Sequence, residues 1–359
     1  MMIGKIKTLN FNSLFFIVLF SLIVNSYIFN NLLVINIFLI SFFISLLLTK
    51  YGLKIIKQFN LLQNIRNEGP LIHFNKKNTP TMGGIFIILP FLLLLLIVNN
   101  FFNNVGISLL FFCTFSFFIT GFLDDYLSIT KNNNTGLKSN EKFLLQTLIS
   151  ILFIAFAYQS KFINPFIEIT NNWNIDTNII IFPICFITLV GLSNAVNLTD
   201  GLDGLASGCS SIVFYGLGTE IFIKGQQELI IYGLISFAMS GLCMGFLNFN
   251  KYPAKIFMGD TGSLTIGAIL GSISILTNSF STLFIISGIF IIEVVSVIIQ
   301  VGFFKITKKI FKNGRRVFLM TPIHHHFELK GIKEEKIVEN FWKINILLVF
   351  LGIVLKINL

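Results

Sequence analysis

The chain has 359 residues, of which 54% are hydrophobic and only 12% are charged. Soluble domains carry about 25% charged residues, so this composition excludes an ordinary soluble protein and predicts an all-α, polytopic integral membrane protein. Nucleic-acid binding is not needed to explain the net charge of +10, because basic loops on one side of a membrane account for most of it. Cys113, Cys185, Cys209 and Cys243 lie in apolar runs without paired ligand spacing, which indicates small buried side chains.

Several apolar runs approach the length of about 20 residues that a transmembrane helix needs. We predict spans near residues 32–50, 81–99, 105–123, 143–158, 178–197, 204–223, 228–248, 263–279, 282–304 and 341–357. The segment 14–29 has three interpretations: an extra crossing, an interfacial helix or an extension of the first span. Together these runs predict a single transmembrane domain over residues 1–359.

Lysines and arginines are concentrated in alternate loops, which sets the orientation. Of the 26, 20 lie in residues 50–80, 131–142, 251–255 and 305–336. The opposite loops hold only Lys161 and Lys224. By the positive-inside rule the basic face is cytoplasmic. The loops predicted to form an active site on that face lie near residues 51–80, 124–142, 198–203, 249–262 and 305–340.

An array of amides and acids lies between two of these spans, in the stretch N-A-V-N-L-T-D-G-L-D-G-L-A (residues 194–206). Its polar members are Asn194, Asn197, Asp200 and Asp203. Carboxylates at a membrane boundary are costly and tend to mark function. Asp200 and Asp203 are three residues apart, so a helical turn places both on one face, and oxygen ligands of this kind suit Mg2+ better than zinc. The alternative is that they cap the following helix.

Two further acidic motifs fall on the same predicted face. Asp124 and Asp125 are adjacent and therefore point in different directions, so one can bind metal while the other faces a substrate group, and two close carboxylates suit proton transfer. Asp260 lies in the glycine-flanked turn F-M-G-D-T-G-S, which presents backbone N–H groups and a carboxylate together and can hold phosphate and metal. The alternatives are a solvated helix end and an ordinary helix start.

The run P-I-H-H-H-F-E-L-K-G holds His324, His325 and His326. Consecutive histidines cannot all face one site, and the spacing typical of zinc sites is absent. We therefore predict phosphate or substrate contact, with at least one histidine stabilising charge. A mid-span acid such as Glu293 must face protein or water; the sequence favours a structural role for Glu293 and a binding role for Gln300.

The unusual polar residues thus converge on one face, which favours an interfacial active site over a transporter, whose polar groups more often lie near the bilayer midplane. Lys131, Lys138 and Lys142 lie within reach of the paired aspartates, and Lys76 precedes the T-P-T turn. Solvated surface charges are the alternative for all four.

Seven motifs in this order resemble the phospho-N-acetylmuramoyl-pentapeptide transferase family, within the superfamily of polyprenyl-phosphate sugar-1-phosphate transferases. They are G-P-x-x-H-F-x-K-K from Gly69, T-P-T-M-G-G from Thr79, G-F-L-D-D-Y from Gly121, the 194–206 stretch, F-M-G-D-T-G-S-L from Phe257, E-V-V-S-V-I-I-Q-V-G from Glu293 and P-I-H-H-H-F-E-L-K-G from Pro322. The resemblance covers about residues 69–342, and residues 1–60 match poorly.

The resemblance implies ten transmembrane helices, outside termini and a cytoplasmic-facing cleft in a bacterial inner membrane. The implied reaction is Mg2+-dependent transfer of phospho-N-acetylmuramoyl-pentapeptide from its UDP carrier to undecaprenyl phosphate, which gives lipid I and UMP in peptidoglycan synthesis. The alternatives are a related UDP-N-acetylhexosamine transferase and a nucleotide-sugar or lipid transporter. A homodimer is left open.

Site residues follow from the resemblance position by position. Asp260, Asp124 and Asp125 would bind the metal; these and His324 would be catalytic, with one of the adjacent pair as the base for the lipid phosphate. Phe257 would stack on uracil, and Lys131 and Lys142 would contact phosphates. The implied substrate-binding residues are Lys76, Thr81, Lys131, Lys142, Asn194, Asn197, Asp200, Asp203, Asn250, Phe257, Ser263, Gln300, His324 and His325.

Overall fold

The computed structural model describes residues 9–58, 79–130, 136–170 and 173–358. The helices, in chain order, are α1 (Phe11–Ile28), α2 (Leu33–Gln58), α3 (Ile85–Phe102), α4 (Val105–Thr130), α5 (Ser139–Gln159), α6 (Ile181–Phe186), α7 (Leu192–Thr199), α8 (Leu205–Ile223), α9 (Ile230–Asn250), α10 (Gly259–Thr277), α11 (Phe280–Ile286), α12 (Gly288–Phe311), α13 (Ile323–Leu329) and α14 (Glu334–Asn358). Strands β1 (Phe166–Thr170) and β2 (Trp173–Asp176) form an antiparallel hairpin. The predicted helical membrane fold is confirmed.

Within the described ranges, 11 helical stretches are long and apolar enough to cross a membrane. They correspond to the ten predicted spans, although the span predicted at 282–304 is divided between α11 and α12 and only α12 is long enough to cross. They add α1, which was left open from the sequence and which the resemblance did not include. Asn10 accepts a hydrogen bond from the Ser13 backbone N–H at 3.0 Å and caps the start of α1. Asn30 has a left-handed backbone, with φ of 46°, and lies in the turn that separates α1 from α2. The segment is therefore a separate helix rather than an extension of the first span.

Helix α1 runs from the cytoplasmic face outward. At its beginning, the Lys251 ammonium lies 4.0 Å from the centre of the Phe11 ring, and Lys251 belongs to a cytoplasmic loop. Near its end, the Asn25 side-chain amide donates to Thr219 Oγ1 at 2.8 Å, close to the outer end of α8. The beginning of α1 thus lies on the cytoplasmic side, in contrast to the outside amino terminus that the resemblance implied, because one additional crossing reverses the side.

Small residues let the central helices approach closely, as membrane helix packing requires. Helices α8 and α10 are the most enclosed spans. In each of them, 89% of the apolar 18-residue stretch that could cross the membrane is buried inside the protein. A Cβ at Gly121 of α4 would collide with the backbone of Asp260, and one at Gly267 of α10 would collide with the backbone of Leu192. The first contact places the cytoplasmic end of α4 against the start of α10, and the second packs the start of α7 against the middle of α10.

The span Asn178–Thr199 is not a regular α-helix. A π-helical turn at Ile187–Gly191 separates α6 from α7, and turns of this kind are frequent near functional sites. The Val190 carbonyl in that turn accepts a hydrogen bond from the Asn194 side chain at 2.8 Å. The turn therefore fixes the start of the helix that carries Asn194 and Asn197.

Candidate active site

Three carboxylates meet at the cytoplasmic end of the bundle. Asp124 and Asp125 lie in the last turns of α4, and Asp260 is the second residue of α10. One oxygen from each residue lies within 4.8 Å of the others, and the three together could hold a metal ion. The structure thus brings together the residues that the sequence analysis selected as metal ligands.

Asp125 caps the beginning of α10. Its Oδ1 accepts the backbone N–H of Asp260 at 3.0 Å, and its Oδ2 accepts the backbone N–H of Thr261 at 2.9 Å and the Thr261 hydroxyl at 2.6 Å. The first N–H groups of a helix have no partner within it and favour a negative charge nearby. Asp125 therefore fixes the turn that carries Asp260. Thr261 was not singled out from the sequence, although it is part of the F-M-G-D-T-G-S motif.

Asp124 has different surroundings. Its Oδ1 accepts the Leu137 backbone N–H at 3.0 Å and lies 3.1 Å from the Lys142 ammonium. Lys142 also forms an ion pair with Asp260. The lysine on α5 therefore bridges two carboxylates on two other helices, and the space between those carboxylates accommodates a cation. The predicted proximity of Lys142 to the paired aspartates is present in the structure.

Asn197 orients the third carboxylate. Its side-chain amide donates to Asp260 Oδ1 at 2.7 Å and contacts Ser263 Oγ at 2.9 Å. The Ser263 hydroxyl in turn donates to the Gly259 carbonyl at 2.9 Å. Asn197 and Ser263 thus belong to the same polar network as the acids.

Asp200 directly follows α7, beside this network. Burial, followed by the charges of Asp260, Asp125 and Asp203, raises the pKa of the Asp200 carboxyl group to about 8. At neutral pH the group is therefore largely protonated in the absence of a bound cation, and a protonated carboxyl can donate a hydrogen bond to a substrate oxygen.

The T-P-T-M-G-G segment packs against the F-M-G-D turn through the backbone. The Gly83 N–H donates to the Phe257 carbonyl and the Phe257 N–H donates to the Pro80 carbonyl, both at 2.8 Å. Thr81 is buried in this segment, and Phe257 remains partly exposed. The pairing brings two motifs that are far apart in sequence to the same end of α10.

Asp203 and Asn250 contact the loop between α9 and α10. Asp203 Oδ2 accepts the Ala254 N–H at 2.8 Å, and the Asn250 side-chain amide donates to the Ile256 carbonyl at 3.0 Å. The Asp203 backbone N–H donates to Glu334 at 2.7 Å. These contacts shape the loop that leads to Phe257. Glu334 was not singled out from the sequence, because an acid in a stretch rich in lysine and glutamate looks like a solvated charge.

The three histidines have three different environments, as their spacing predicted. His324 is fully buried, and its Nδ1 lies 3.1 Å from Oε1 of the equally buried Glu293. The two atoms are close but not aligned for a hydrogen bond, and neither has another hydrogen-bond partner among the described residues. His325 Nδ1 lies 2.6 Å from Glu328 Oε2, and His326 Nδ1 accepts the backbone N–H of Leu319.

His324 lies directly beside the turn that follows α7. A Cβ at Gly201 would collide with the His324 imidazole. A glycine next to Asp200 is therefore required for the close approach of the histidine. The His324 imidazole thus lies between Glu293, in the first half of α12, and the turn that follows Asp200.

Gln300 and Asn194 contact neighbouring segments of the protein. The Gln300 side chain donates to the Phe318 carbonyl at 3.0 Å and accepts the Val317 N–H at 2.9 Å, which holds the loop before the histidines against α12. The Asn194 amide donates to Gln146 Oε1 of α5 at 2.7 Å. Their binding roles stay predictions. Two other predicted residues, Lys76 and Lys131, lie outside the described residues.

These features define the protein as a multi-pass membrane enzyme with an acidic centre at the membrane interface. Clustered carboxylates, a lysine that bridges them and a buried histidine all lie at the cytoplasmic boundary of its helical bundle. Comparison with known proteins narrows this class. A model of glycosyl transferase family 4 matches residues 107–278, and the phospho-N-acetylmuramoyl-pentapeptide-transferase signature 1 matches residues 76–88.

Relatives named phospho-N-acetylmuramoyl-pentapeptide-transferase match along the whole chain. The one from Prochlorococcus marinus strain CCMP1986 is 80% identical over 100% of both chains. The one from Prochlorococcus marinus strain MIT 9515 is 79% identical over 100% of this chain and 99% of its own. The one from Synechococcus sp. strain CC9311 is 40% identical over 88% of this chain and 85% of its own. The chain belongs to the phospho-N-acetylmuramoyl-pentapeptide-transferase family, and the resemblance carried by its motifs is confirmed.

The different contacts of the adjacent aspartates predict different mutant behaviour. Asp125→Ala leaves three hydrogen-bond donors at the start of α10 without their acceptor, so we expect the free energy of unfolding to fall by about 1–3 kcal/mol. Asp124→Ala removes contacts of a less enclosed group and lessens repulsion among the acids, so we expect a smaller loss of stability together with loss of activity. The measurement is the thermal unfolding of both purified variants, with activity assayed on the folded protein. Equal losses of stability would contradict the conclusion that Asp125, and not Asp124, caps α10.

Proposed function

We propose that the protein transfers phospho-N-acetylmuramoyl-pentapeptide from its UDP carrier to undecaprenyl phosphate, giving lipid I and UMP, at the cytoplasmic face of a bacterial inner membrane. The observation that carries the proposal is the cluster of Asp124, Asp125 and Asp260 at the membrane boundary, in a chain 80% identical over its full length to a relative with that name. A lipid acceptor stays in the bilayer while a nucleotide sugar arrives from water, so an interfacial site suits both.

Mg2+ fits the donor set of this cluster. Carboxylate oxygens are the ligands that Mg2+ prefers, and the Lys142 ammonium between Asp124 and Asp260 marks a place where positive charge is stabilised. We propose that Asp260 and Asp124 hold the ion, with Asp125 beside them. Bound magnesium would neutralise phosphate charge that otherwise opposes the attack of one phosphate on another.

Asp124 is our candidate for the group that accepts the proton of the lipid phosphate. Both oxygens of Asp125 are engaged by Asp260 and Thr261, and using Asp125 as a base would release the start of α10. The contacts of Asp124 with Leu137 and Lys142 are both made to Oδ1, and its side chain also shares a hydrogen bond with Asp260, so none of these contacts involves the first backbone N–H groups of α10. The proposed reaction is direct displacement at the sugar-bearing phosphate, with UMP as the leaving group.

The nucleotide sugar would lie across the ends of α7 and α10. Asn197 and Asp200 present an amide and a carboxyl group beside Asp260, and the partly exposed Phe257 ring offers a face for uracil. When the substrate is bound, its phosphate oxygens would replace Asp124 or Asp260 as partners of the Lys142 ammonium. Lys76 and Lys131 are proposed as further phosphate contacts.

The assay follows UMP release by detergent-purified protein with Mg2+ and undecaprenyl phosphate. We expect release with UDP-N-acetylmuramoyl-pentapeptide and none with UDP-N-acetylglucosamine, with loss of at least about 100-fold in Asp260→Ala because the proposed charge stabilisation is removed. Asp176→Asn, an exposed acid in β2, is the matched control and retains wild-type activity. Release with UDP-N-acetylglucosamine alone would overturn the assigned substrate while keeping the chemistry.

His324 would stabilise negative charge near Asp200, and we propose that Glu293 holds its imidazole in position. The pair is fully buried at 3.1 Å, and a carboxylate at Nδ1 favours a proton on that nitrogen. A second proton, on Nε2, would then face the Gly201 turn and stabilise negative charge there. We therefore propose a functional role for Glu293, beyond the structural role that the sequence favoured.

A double-mutant cycle tests this pair. We expect Glu293→Gln and His324→Gln each to lower kcat by about tenfold or more, and the double variant to lose little beyond either single variant because the residues act as a unit. The KM for the UDP substrate should change less than kcat. Independent, additive losses would show that Glu293 does not act through His324.

A further inference from the structure

Four charged side chains meet at the outer face, opposite the active site. They are Lys224 and Glu220 at the end of α8, Lys356 near the end of α14, and Glu168 in β1. The Lys224 ammonium lies 2.9 Å from Glu168 Oε2 and 3.5 Å from Glu220 Oε1, and the Lys356 ammonium lies 3.6 Å from Glu168 Oε2. Two lysines balance two glutamates in this group, which we call the outer charge cluster.

The outer charge cluster is enclosed. The side chains of Lys224, Lys356 and Glu220 are 2%, 1% and 0% exposed, and only that of Glu168 reaches 30%. Burying charges in pairs contributes little net stability relative to apolar residues of the same volume, but it can fix a particular geometry. The contacts of the cluster indicate which geometry it fixes.

The cluster joins the outer end of α8 to the outer end of α10. Lys224 donates to the Thr277 carbonyl at 2.7 Å and to the Asn278 carbonyl at 3.0 Å, and the Ser279 hydroxyl donates to Glu220 Oε2 at 2.6 Å. The last carbonyls of a helix lack partners within it and favour a nearby cation. Lys224 therefore caps α10 while belonging to the end of α8.

The other ends of these two helices carry active-site residues. Helix α8 follows the turn that holds Asp200 and Asp203, and α10 begins with Gly259 and Asp260. Each helix has 19 residues, so each spans about 28 Å. Because the rise per residue of a hydrogen-bonded helix is nearly constant, a tie between the outer ends also sets the relative height of the inner ends.

Direct packing between the two helices is sparse. In the described part of the chain, α8 packs mainly against α9 and α14, whereas α10 packs mainly against α4 and α7. The hairpin reinforces the tie: Asn278 donates to the Phe166 carbonyl at 3.0 Å, and Ser281 donates to the Glu168 carbonyl at 2.6 Å. Polar contacts at the outer face thus supply a link that apolar packing supplies only weakly.

We infer that Lys224 and Glu220 are positioning residues for the transferase reaction: from the outer face they set the height of α8 relative to α10, and with it the placement of Asp203, just before α8, relative to Asp260. The inference rests on the proposed function. It assigns a role in catalysis to charges that lie on the side of the membrane opposite the substrates and touch none of them.

The experiment compares Lys224→Met with Lys224→Arg, which keeps donors for the carbonyls of α10. Glu228→Gln, at an exposed acid on the same face, is the control. For each detergent-purified variant we would measure kcat for UMP release, the unfolding temperature, and binding of Mn2+ alone by the electron paramagnetic resonance of the free ion. Mn2+ binding reports on Asp124, Asp125 and Asp260, which lie on the directly packed helices α4 and α10.

We expect Lys224→Met to lower kcat by about tenfold or more, since small misplacements of reacting groups are costly, while the Mn2+ dissociation constant stays within about twofold of wild type because α4 and α10 remain packed. Lys224→Arg should retain at least half of the wild-type kcat, and Glu228→Gln should be unchanged. Wild-type kcat in Lys224→Met, or loss of kcat and Mn2+ binding together, overturns the inference.

Glu220→Gln keeps the side-chain shape and the contact with Ser279, and it provides a second test should Lys224→Met not fold. We expect a reduced kcat with unchanged Mn2+ binding, and an unaltered kcat counts against the positioning role. If the wild-type protein itself releases no UMP, the proposed function fails and the inference falls with it, whereas wild-type UMP release that is unchanged in the Lys224→Met and Glu220→Gln variants overturns the inference alone.

Discussion

The bonds between Asp125 and the first turn of α10 are the constraint on which the acidic site depends. They hold Asp260 against the end of α4, and the contact of Gly121 with the Asp260 backbone leaves no room for a side chain between the helices. Without this cap, the start of α10 would present unpartnered N–H groups at a membrane boundary, where water is scarce. The same carboxylate therefore stabilises a helix and assembles the site.

Carboxylates that lie close together in a poorly hydrated place repel one another, so nearby positive charges and hydrogen-bond donors must stabilise them. Lys142 supplies the positive charge for Asp124 and Asp260, and the Asn197 amide supplies a further donor to Asp260. Among the described residues, no cation is one of the main groups that act on Asp200. Burial and the neighbouring carboxylates raise its pKa to about 8. This arrangement attracts cations while keeping one group protonated, which suits a centre that must bring a metal ion and several phosphate oxygens together.

Much of this was predictable from sequence. Apolar run lengths and loop charges predicted the spans and their orientation, and the motifs predicted that Asp124, Asp125 and Asp260 converge, because residues at the same ends of antiparallel spans share a membrane face. The division of roles between Asp124 and Asp125 was not predictable, since it depends on where the backbone of α10 begins. The direction of α1 also depends on tertiary contacts, here of Phe11 with Lys251.

Other features escaped the sequence analysis for a physical reason that they share. Lys224 and Lys356 looked like isolated charges because Glu168, which each of them contacts, is far away along the chain. Glu293 could be assigned to protein or cavity but not to His324, since no local pattern links a mid-span acid to a loop histidine. In each case the pairing is set by helix packing, and helix packing is not encoded in periodicity.

The most direct test of the account is the position of a metal ion in crystals of the protein grown with Mn2+, located by its anomalous scattering. We expect one peak between the end of α4 and the start of α10, within coordination distance of Asp124 and Asp260, and we expect it to be absent in Asp260→Ala. A peak bound instead by Asp200 and Asp203, with none between Asp124 and Asp260, would contradict the account.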